Sequence, residues 1–354
     1  MKCKYLFTFT ALILVLATTL ASCGGGGYQL PKTKSHTAYG YFDTVSIFSS
    51  YLGDTEAEFR ENCTELEAIL DKYHKLFNIY YEYEGINNLR TVNIKAGREP
   101  VKVDRELIDF LLYTKEMYTL TGGEVNIMMG AVLRLWHDCR EDATENPKDA
   151  RIPSEAELFS AAEHISIDAL VIDEEASTVY ITDPDASIDV GAIGKGYAAN
   201  LAAEHLRKKG VTSYVLNIGG NICAIGTKTD GEPWTTGITN PDRDSDSSFV
   251  LRMRLSDTCL VTSGDYLRYY VFDGKKYHHI IDKDTLMPAE HFSAVSILTP
   301  NSALADALST ALFSMSYEDG LKLVNNLGGV EVLWVDREGR TYMTDGFRTL
   351  VIDE

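Results

Sequence analysis

The stretch Tyr269-Tyr270-Val271-Phe272-Asp273-Gly274-Lys275 decides the fold class. Four β-favouring residues run into Asp-Gly, a pair that accepts the left-handed backbone of a tight hairpin turn. A hairpin joins antiparallel neighbours, and the surrounding sequence repeats the theme. Outward from it, strands are expected at residues 249–255, 293–299, 214–218, 178–181 and 169–172, and residues 39–51 read as one more strand. Helices at 196–209 and 302–316 interrupt them without regular strand–helix alternation. The expected class is therefore α+β: a single domain with mixed, largely antiparallel sheets and flanking helices.

Toward the N-terminus the apolar period becomes helical. Residues 55–77 carry Phe59, Leu66, Ile69, Leu70 and Tyr73 near helical spacing. Asp104 is placed to cap a second helix, with Leu107, Phe110, Leu111, Thr114 and Tyr118 on one face and Gly122-Gly123 as its stop. Ser154 caps a short helix that ends near His164. Residues 139–152 are polar and charged and contain a proline, so they read as a loop. No internal repeat points to a solenoid or propeller.

The net charge of −19 argues against a nucleic-acid partner and against electrostatic adhesion to anionic lipid. A polyphosphate ligand would need a cation or a helix N-terminus to offset the repulsion. Lys2 and Lys4 precede a short apolar run, and Leu20-Ala21-Ser22-Cys23 resembles a bacterial lipobox. That resemblance implies a lipoprotein signal peptide at 1–22 and lipid on Cys23. A flexible tether would follow at 23–38, glycine-rich at its start, ahead of a folded domain at 39–354. The domain is then expected to be extracytoplasmic, held to a bacterial membrane by its lipid anchor. Of the cysteines, Cys63, Cys139, Cys223 and Cys259 fall in the folded part. None has the spacing of a zinc site, and the sequence does not pair them.

Residues 188–199, Ile-Asp-Val-Gly-Ala-Ile-Gly-Lys-Gly-Tyr-Ala-Ala, form a strand end, a glycine-rich turn and a helix start. Such a junction offers backbone N–H groups and a helix dipole to an anion, and Lys195 adds a charge. A tight connection whose glycines serve packing explains the same residues equally well. Leu216-Asn217-Ile218-Gly219-Gly220-Asn221 suggests a bulge or a close ligand. Residues 234–241 and 261–266 read as polar turns after apolar runs. His279 is a candidate base. In Ala305-Asp306-Ala307-Leu308-Ser309-Thr310-Ala311, a helix would put Asp306 and Thr310 one turn apart on one face. A carboxylate and a hydroxyl are hard oxygen donors that suit Mg²⁺, and Mn²⁺ takes similar ligands.

Taken in order, these segments together with Thr121-Gly122-Gly123 and 279–282 resemble the ApbE-type flavin transferases, from about Tyr39 to near the C-terminus. The resemblance implies Mg²⁺-dependent transfer of FMN from FAD to a threonine hydroxyl of an acceptor protein, with release of AMP. It implies metal binding by Asp306, Thr310 and the carbonyl of Ala192, and catalysis by His279. FAD contacts are implied at Phe42, Tyr80, Glu124, Val125, Asn126, Asp189, Lys195 and Ile280. The chain departs from the family where Met-Gly-Thr becomes Phe42-Asp43-Thr44 and Ala-Phe-Asp becomes Glu124-Val125-Asn126. It departs again at Glu84-Gly85 and at Thr285-Leu286. The metal and phosphate segments are expected to be intact and the flavin-ring end divergent. With no Asp-x-x-Thr-Gly-Ala-Thr sequence in the chain, the acceptor is expected to be another protein, part of an extracytoplasmic electron-transfer system. The alternatives are an FAD pyrophosphatase giving FMN and AMP, and a non-enzymatic flavin-binding lipoprotein.

Overall fold

The computed structural model describes residues 33–353. The expected signal peptide, Cys23 and the tether up to residue 32 lie outside the described residues. The first hairpin pairs β1 (Thr33–Tyr41) with β2 (Thr44–Tyr51). Its two turn residues, Phe42 and Asp43, both take φ 52°, the left-handed backbone of a type I′ turn. This corrects two expectations, a single strand at 39–51 and a tether reaching residue 38. Alternation explains the longer β1: Ala38 faces the core, and His36 Nε2 reaches Glu67 Oε1 at 2.7 Å.

Helix α1 (Glu56–Phe77) starts at a capping box of Thr55 and Glu58. Then come α2 (Leu89–Ile94), β3 (Val101–Lys102), α3 (Arg105–Leu120) and α4 (Gly130–Glu145). The last of these replaces the first half of the loop expected at 139–152. Val132, Trp136, Cys139 and Ala143 form a buried stripe at helical spacing, and the charged residues occupy the other side. Helix α5 (Glu155–Ala162), capped by Ser154, leads to β4 (Leu170–Asp173) and β5 (Thr178–Ile181), which join β3 in a small sheet.

The rest of the chain alternates between layers. Helix α6 (Gly194–Lys208) precedes β6 (Ser213–Ile218), β7 (Asn221–Gly226), β8 (Trp234–Thr239), β9 (Phe249–Leu255) and β10 (Cys259–Gly264). The hairpin β11 (Tyr269–Phe272) and β12 (Lys275–His278) follows, then β13 (Phe292–Thr299), α7 (Ser302–Ser314) and α8 (Tyr317–Asn325). The chain ends with β14 (Glu331–Asp336), β15 (Thr341–Met343), α9 (Asp345–Arg348) and β16 (Val351–Asp353). Strands β8 and β10 correct the polar turns expected at 234–241 and 261–266. The glycines at 219 and 220 serve a hairpin turn between β6 and β7, both with positive φ.

An antiparallel sheet in the order β1-β2-β6-β7-β10-β13-β14-β15 runs through the molecule. Period-two alternation gives it two apolar faces. Val261, Val295, Ile297, Val332 and Trp334 pack against α7 and α8. Leu260, Ala294, Leu298, Leu333 and Val335 point the other way, onto a second sheet of β16, β9 and β8. Helices α1 and α6 cover the β2–β6–β7 end. The α+β class and its largely antiparallel sheets are as expected.

Starting the protein at Tyr39 instead of Thr33 would strip most of β1 from β2 and leave β2 as an open edge. The shorter protein is expected to melt several degrees lower in a thermal unfolding scan, and equal melting temperatures would refute a structural role for residues 33–38.

Candidate active site

Helices α6 and α7 cross where α6 begins. The backbone N–H of Gly196 donates to Asp306 Oδ2 at 2.7 Å, and Lys195 Nζ stands 3.8 Å from the same oxygen. A Cβ at residue 196 would fall 2.3 Å from Asp306 Cβ and 2.5 Å from the Ser302 carbonyl, so only glycine allows this crossing. Asp306 is deeply buried, and burial holds its pKa above the ordinary carboxylate range against the pull of Lys195 and the Gly196 N–H. Oδ1 accepts no hydrogen bond among the described residues. Thr310, one turn on, has Oγ1 3.4 Å from Ser263 Oγ on β10. Ala192 lies in the turn just before Ile193, the N-cap of α6. The under-compensated carboxylate and the neighbouring hydroxyl fit a hard divalent cation such as Mg²⁺ or Mn²⁺.

A second group of side chains gathers around Asp189. Its Oδ1 accepts from the Gly191 N–H at 2.8 Å, and its own N–H donates to the Ile127 carbonyl. Burial raises the Asp189 pKa, opposed by Gly191, His137, Arg268 and Arg140. Tyr80 is half exposed, its ring 5.6 Å from that of His137. Burial, reinforced by Asp189, pushes its phenol up to about 12. Asp43, at the tip of the first hairpin, also acts on Tyr80. Arg140 donates to His137 Nδ1 at 2.8 Å. Its pKa is lowered first by burial and then by the positive charge of Arg268. Two guanidinium groups that repel one another beside one partly buried carboxylate suit an anionic ligand.

His279 follows β12 directly. Its Nδ1 is 3.2 Å from the Arg268 carbonyl, an acceptor, so Nδ1 carries the proton. Nε2 then presents its lone pair, with no hydrogen-bond partner among the described residues. Burial, then Arg268, His278 and Arg140, push the imidazolium pKa down to about 3. The neighbouring His278 is committed to the scaffold. Its Nε2–H donates to the Ala289 carbonyl at 2.9 Å, and Nδ1 accepts from the Ile280 N–H. Only one of the two adjacent histidines is therefore available as a base.

The remaining expected residues divide by what their side chains already do. Val125 and Ile280 are buried in apolar clusters, which leaves only their backbones to a ligand. Asn126 donates to the Ile165 carbonyl and accepts from the Met128 N–H, so both ends of its amide are used. Glu124 pairs with Lys283 at 3.3 Å, and burial raises its pKa. Phe42 packs edge-on to His74, and its N–H donates to His74 Nδ1. Sequence reasoning missed His137, Arg140 and Arg268. The spacing of His137 and Arg140 on α4 was a usable signal, hidden while residues 139–152 read as a loop. His164, Asp183 and Asp185 also lie close together, but His164 and Asp183 already pair at 2.8 Å.

Two outcomes are expected. The ring resonances of His279 in the free protein should not titrate between pH 8 and 5 by NMR, since the neutral form prevails throughout that window; a midpoint near the ordinary 6.5 would contradict this. Gly196→Ala should unfold more readily in denaturant, by about 1–3 kcal/mol, because the crossing of α6 and α7 has no room for a methyl group.

Known proteins resemble this chain over nearly its whole length. The FAD:protein FMN transferase of Treponema pallidum is 28% identical over 371 residues, covering 100% of this chain and 98% of that protein. A Klebsiella pneumoniae protein of the same name is 25% identical, with 98% of each covered. The structure of the ApbE protein of Thermotoga maritima superposes with a TM-score of 0.77 at 26% identity, covering 90% of this chain and 99% of that one. The flavin transferase ApbE of Vibrio cholerae gives 0.74 at 24% identity, over 90% and 99% of the two chains, and so speaks to the fold alone. The sequence profile of the ApbE family matches residues 43–334, and the chain belongs to that family.

Proposed function

We propose that the protein is an FAD:protein FMN transferase that moves FMN from FAD to a threonine hydroxyl of an extracytoplasmic acceptor protein and releases AMP. The observation that carries this reading is the buried Asp306 carboxylate, fixed by the Gly196 N–H at the start of α6 with Lys195 beside it and Thr310 on the same face. A divalent cation held by Asp306, Thr310 and the Ala192 carbonyl, Mg²⁺ by preference, would neutralise charge developing on the pyrophosphate. The N-terminus of α6 and Lys195 attract the phosphates and orient them. Arg140 and Arg268 add further positive charge for an anionic substrate in a protein of net −19. Tyr80 offers a half-exposed ring for the flavin to pack on.

His279 serves as the base. Its Nε2 lone pair accepts the proton of the acceptor threonine as the hydroxyl oxygen attacks the FMN phosphorus and the bond to AMP breaks. The Arg268 carbonyl keeps the other ring nitrogen protonated, so the accepting nitrogen always faces the same way. Lipid attachment at Cys23 and an acceptor within an extracytoplasmic electron-transfer system belong to the same proposal, supported by the lipobox-like residues 20–23.

The test follows AMP and protein-bound FMN after mixing FAD, Mg²⁺ and a threonine-bearing acceptor protein. Asp306→Asn should cut AMP release at least about 100-fold. His279→Ala should lower transfer roughly 10²–10⁴-fold while FAD still binds. Free FMN with none on the acceptor would favour the pyrophosphatase, and FAD binding without any AMP would favour a binding lipoprotein.

A further inference from the structure

The central sheet is thinly joined at one seam. Its halves, β1-β2-β6-β7 and β10-β13-β14-β15, meet only between β7 and β10. There the register holds just Cys223 opposite Cys259 and Ile222 opposite Leu260, whereas β10 pairs with β13 along its whole length. At this seam two cysteines face each other, both without solvent exposure, with Sγ atoms 2.7 Å apart. That separation is far inside the contact distance of two unbonded sulfur atoms.

The backbone geometry suits a bond. The Ala224 N–H donates to the Thr258 carbonyl at 2.9 Å, so the next pair along, Cys223 and Cys259, is a non-hydrogen-bonded one. Such pairs bring Cα atoms to about 4.5 Å, within the range of about 4.4–6.8 Å that a disulfide spans. Cys139 on α4 sits in a different apolar cluster, and Cys63 on α1 shares the cluster of the pair, but the close Sγ contact joins Cys223 and Cys259. We propose that Cys223 and Cys259 form a disulfide that closes the seam of the central sheet, leaving Cys63 and Cys139 as thiols.

The reaction is thiol–disulfide exchange with a protein or small-molecule disulfide as oxidant. The Cys223 thiolate attacks one sulfur of that disulfide and releases one thiol. The Cys259 thiolate then displaces the second from Cys223 Sγ. The protons of the two cysteines end on the two released thiols, and the donor disulfide takes up the two electrons. Because both sulfurs are covered in the folded protein, exchange takes place during folding, before α6 and α7 settle on the strands. The cross-link then lies beneath the first turn of the helix that carries Asp306 and Thr310.

The full chain, refolded in a buffer of reduced and oxidised glutathione, would be denatured without reductant, alkylated and digested for mass spectrometry. The expected result is alkylated Cys63 and Cys139, with the peptides bearing Cys223 and Cys259 recovered as one linked species. Reduction should lower the melting temperature by roughly 5 °C or more, and a Cys223→Ala/Cys259→Ala variant should melt at one temperature in both buffers. Full alkylation of Cys223 and Cys259 after oxidative refolding, or linkage of either to another cysteine, would overturn the proposal.

Discussion

One hydrogen bond, from the Gly196 N–H to the buried Asp306 carboxylate, sets the terms for the functional end of this molecule. It requires that α6 and α7 touch at a residue without a side chain. It also requires that the first turn of α6, rich in unpaired N–H groups, point at a negative charge. Once that crossing is fixed, Lys195 falls beside the carboxylate and Thr310 comes onto the same face of α7. The glycine-rich turn with Ala192 is then held against both. The sheet beneath is the platform that keeps the two helices in register, with β7, β10 and β13 all in contact with α7.

Around that centre the protein reverses its own electrostatics. The chain is strongly acidic, yet Arg140 and Arg268 gather at Asp189 and His279, and Lys195 and the α6 N-terminus meet Asp306. Concentrated positive charge in an acidic surface attracts polyanions to one place and discourages them elsewhere. The same arginines, together with burial, keep the His279 imidazole neutral, so its Nε2 lone pair stays free in the unliganded protein.

What the sequence disclosed was mostly local. The helix beginning at Thr55, the cap at Ser154, the Asp273-Gly274 turn and the helical face of α3 are each written within a few residues, and each appears where expected. The Asp306–Thr310 pair was legible for the same reason. The strands β8 and β10 were not, because their threonines, serines and glycines resemble turns until a second sheet or a helix covers one face. The arginine cluster was hidden for a different reason. Arg140 and Arg268 are far apart along the chain, and only the packing of α4 against the β11–β12 hairpin, where Trp136 stacks on Tyr277, brings them near each other. Asn126 shows the reverse case. Its position suggested a ligand contact, while its amide is spent on two backbone groups.

The turn between β1 and β2 has a consequence for how this lineage can change. Phenylalanine and aspartate occupy two left-handed positions there, where glycine or asparagine would sit without strain. Each such residue costs on the order of 1–3 kcal/mol, and a sequence drifting under selection for robustness alone would shed them. The strained turn holds the Phe42 N–H against His74 and the Asp43 charge near Tyr80, so glycine or asparagine there would relieve the backbone at the expense of the side chains that meet those two residues.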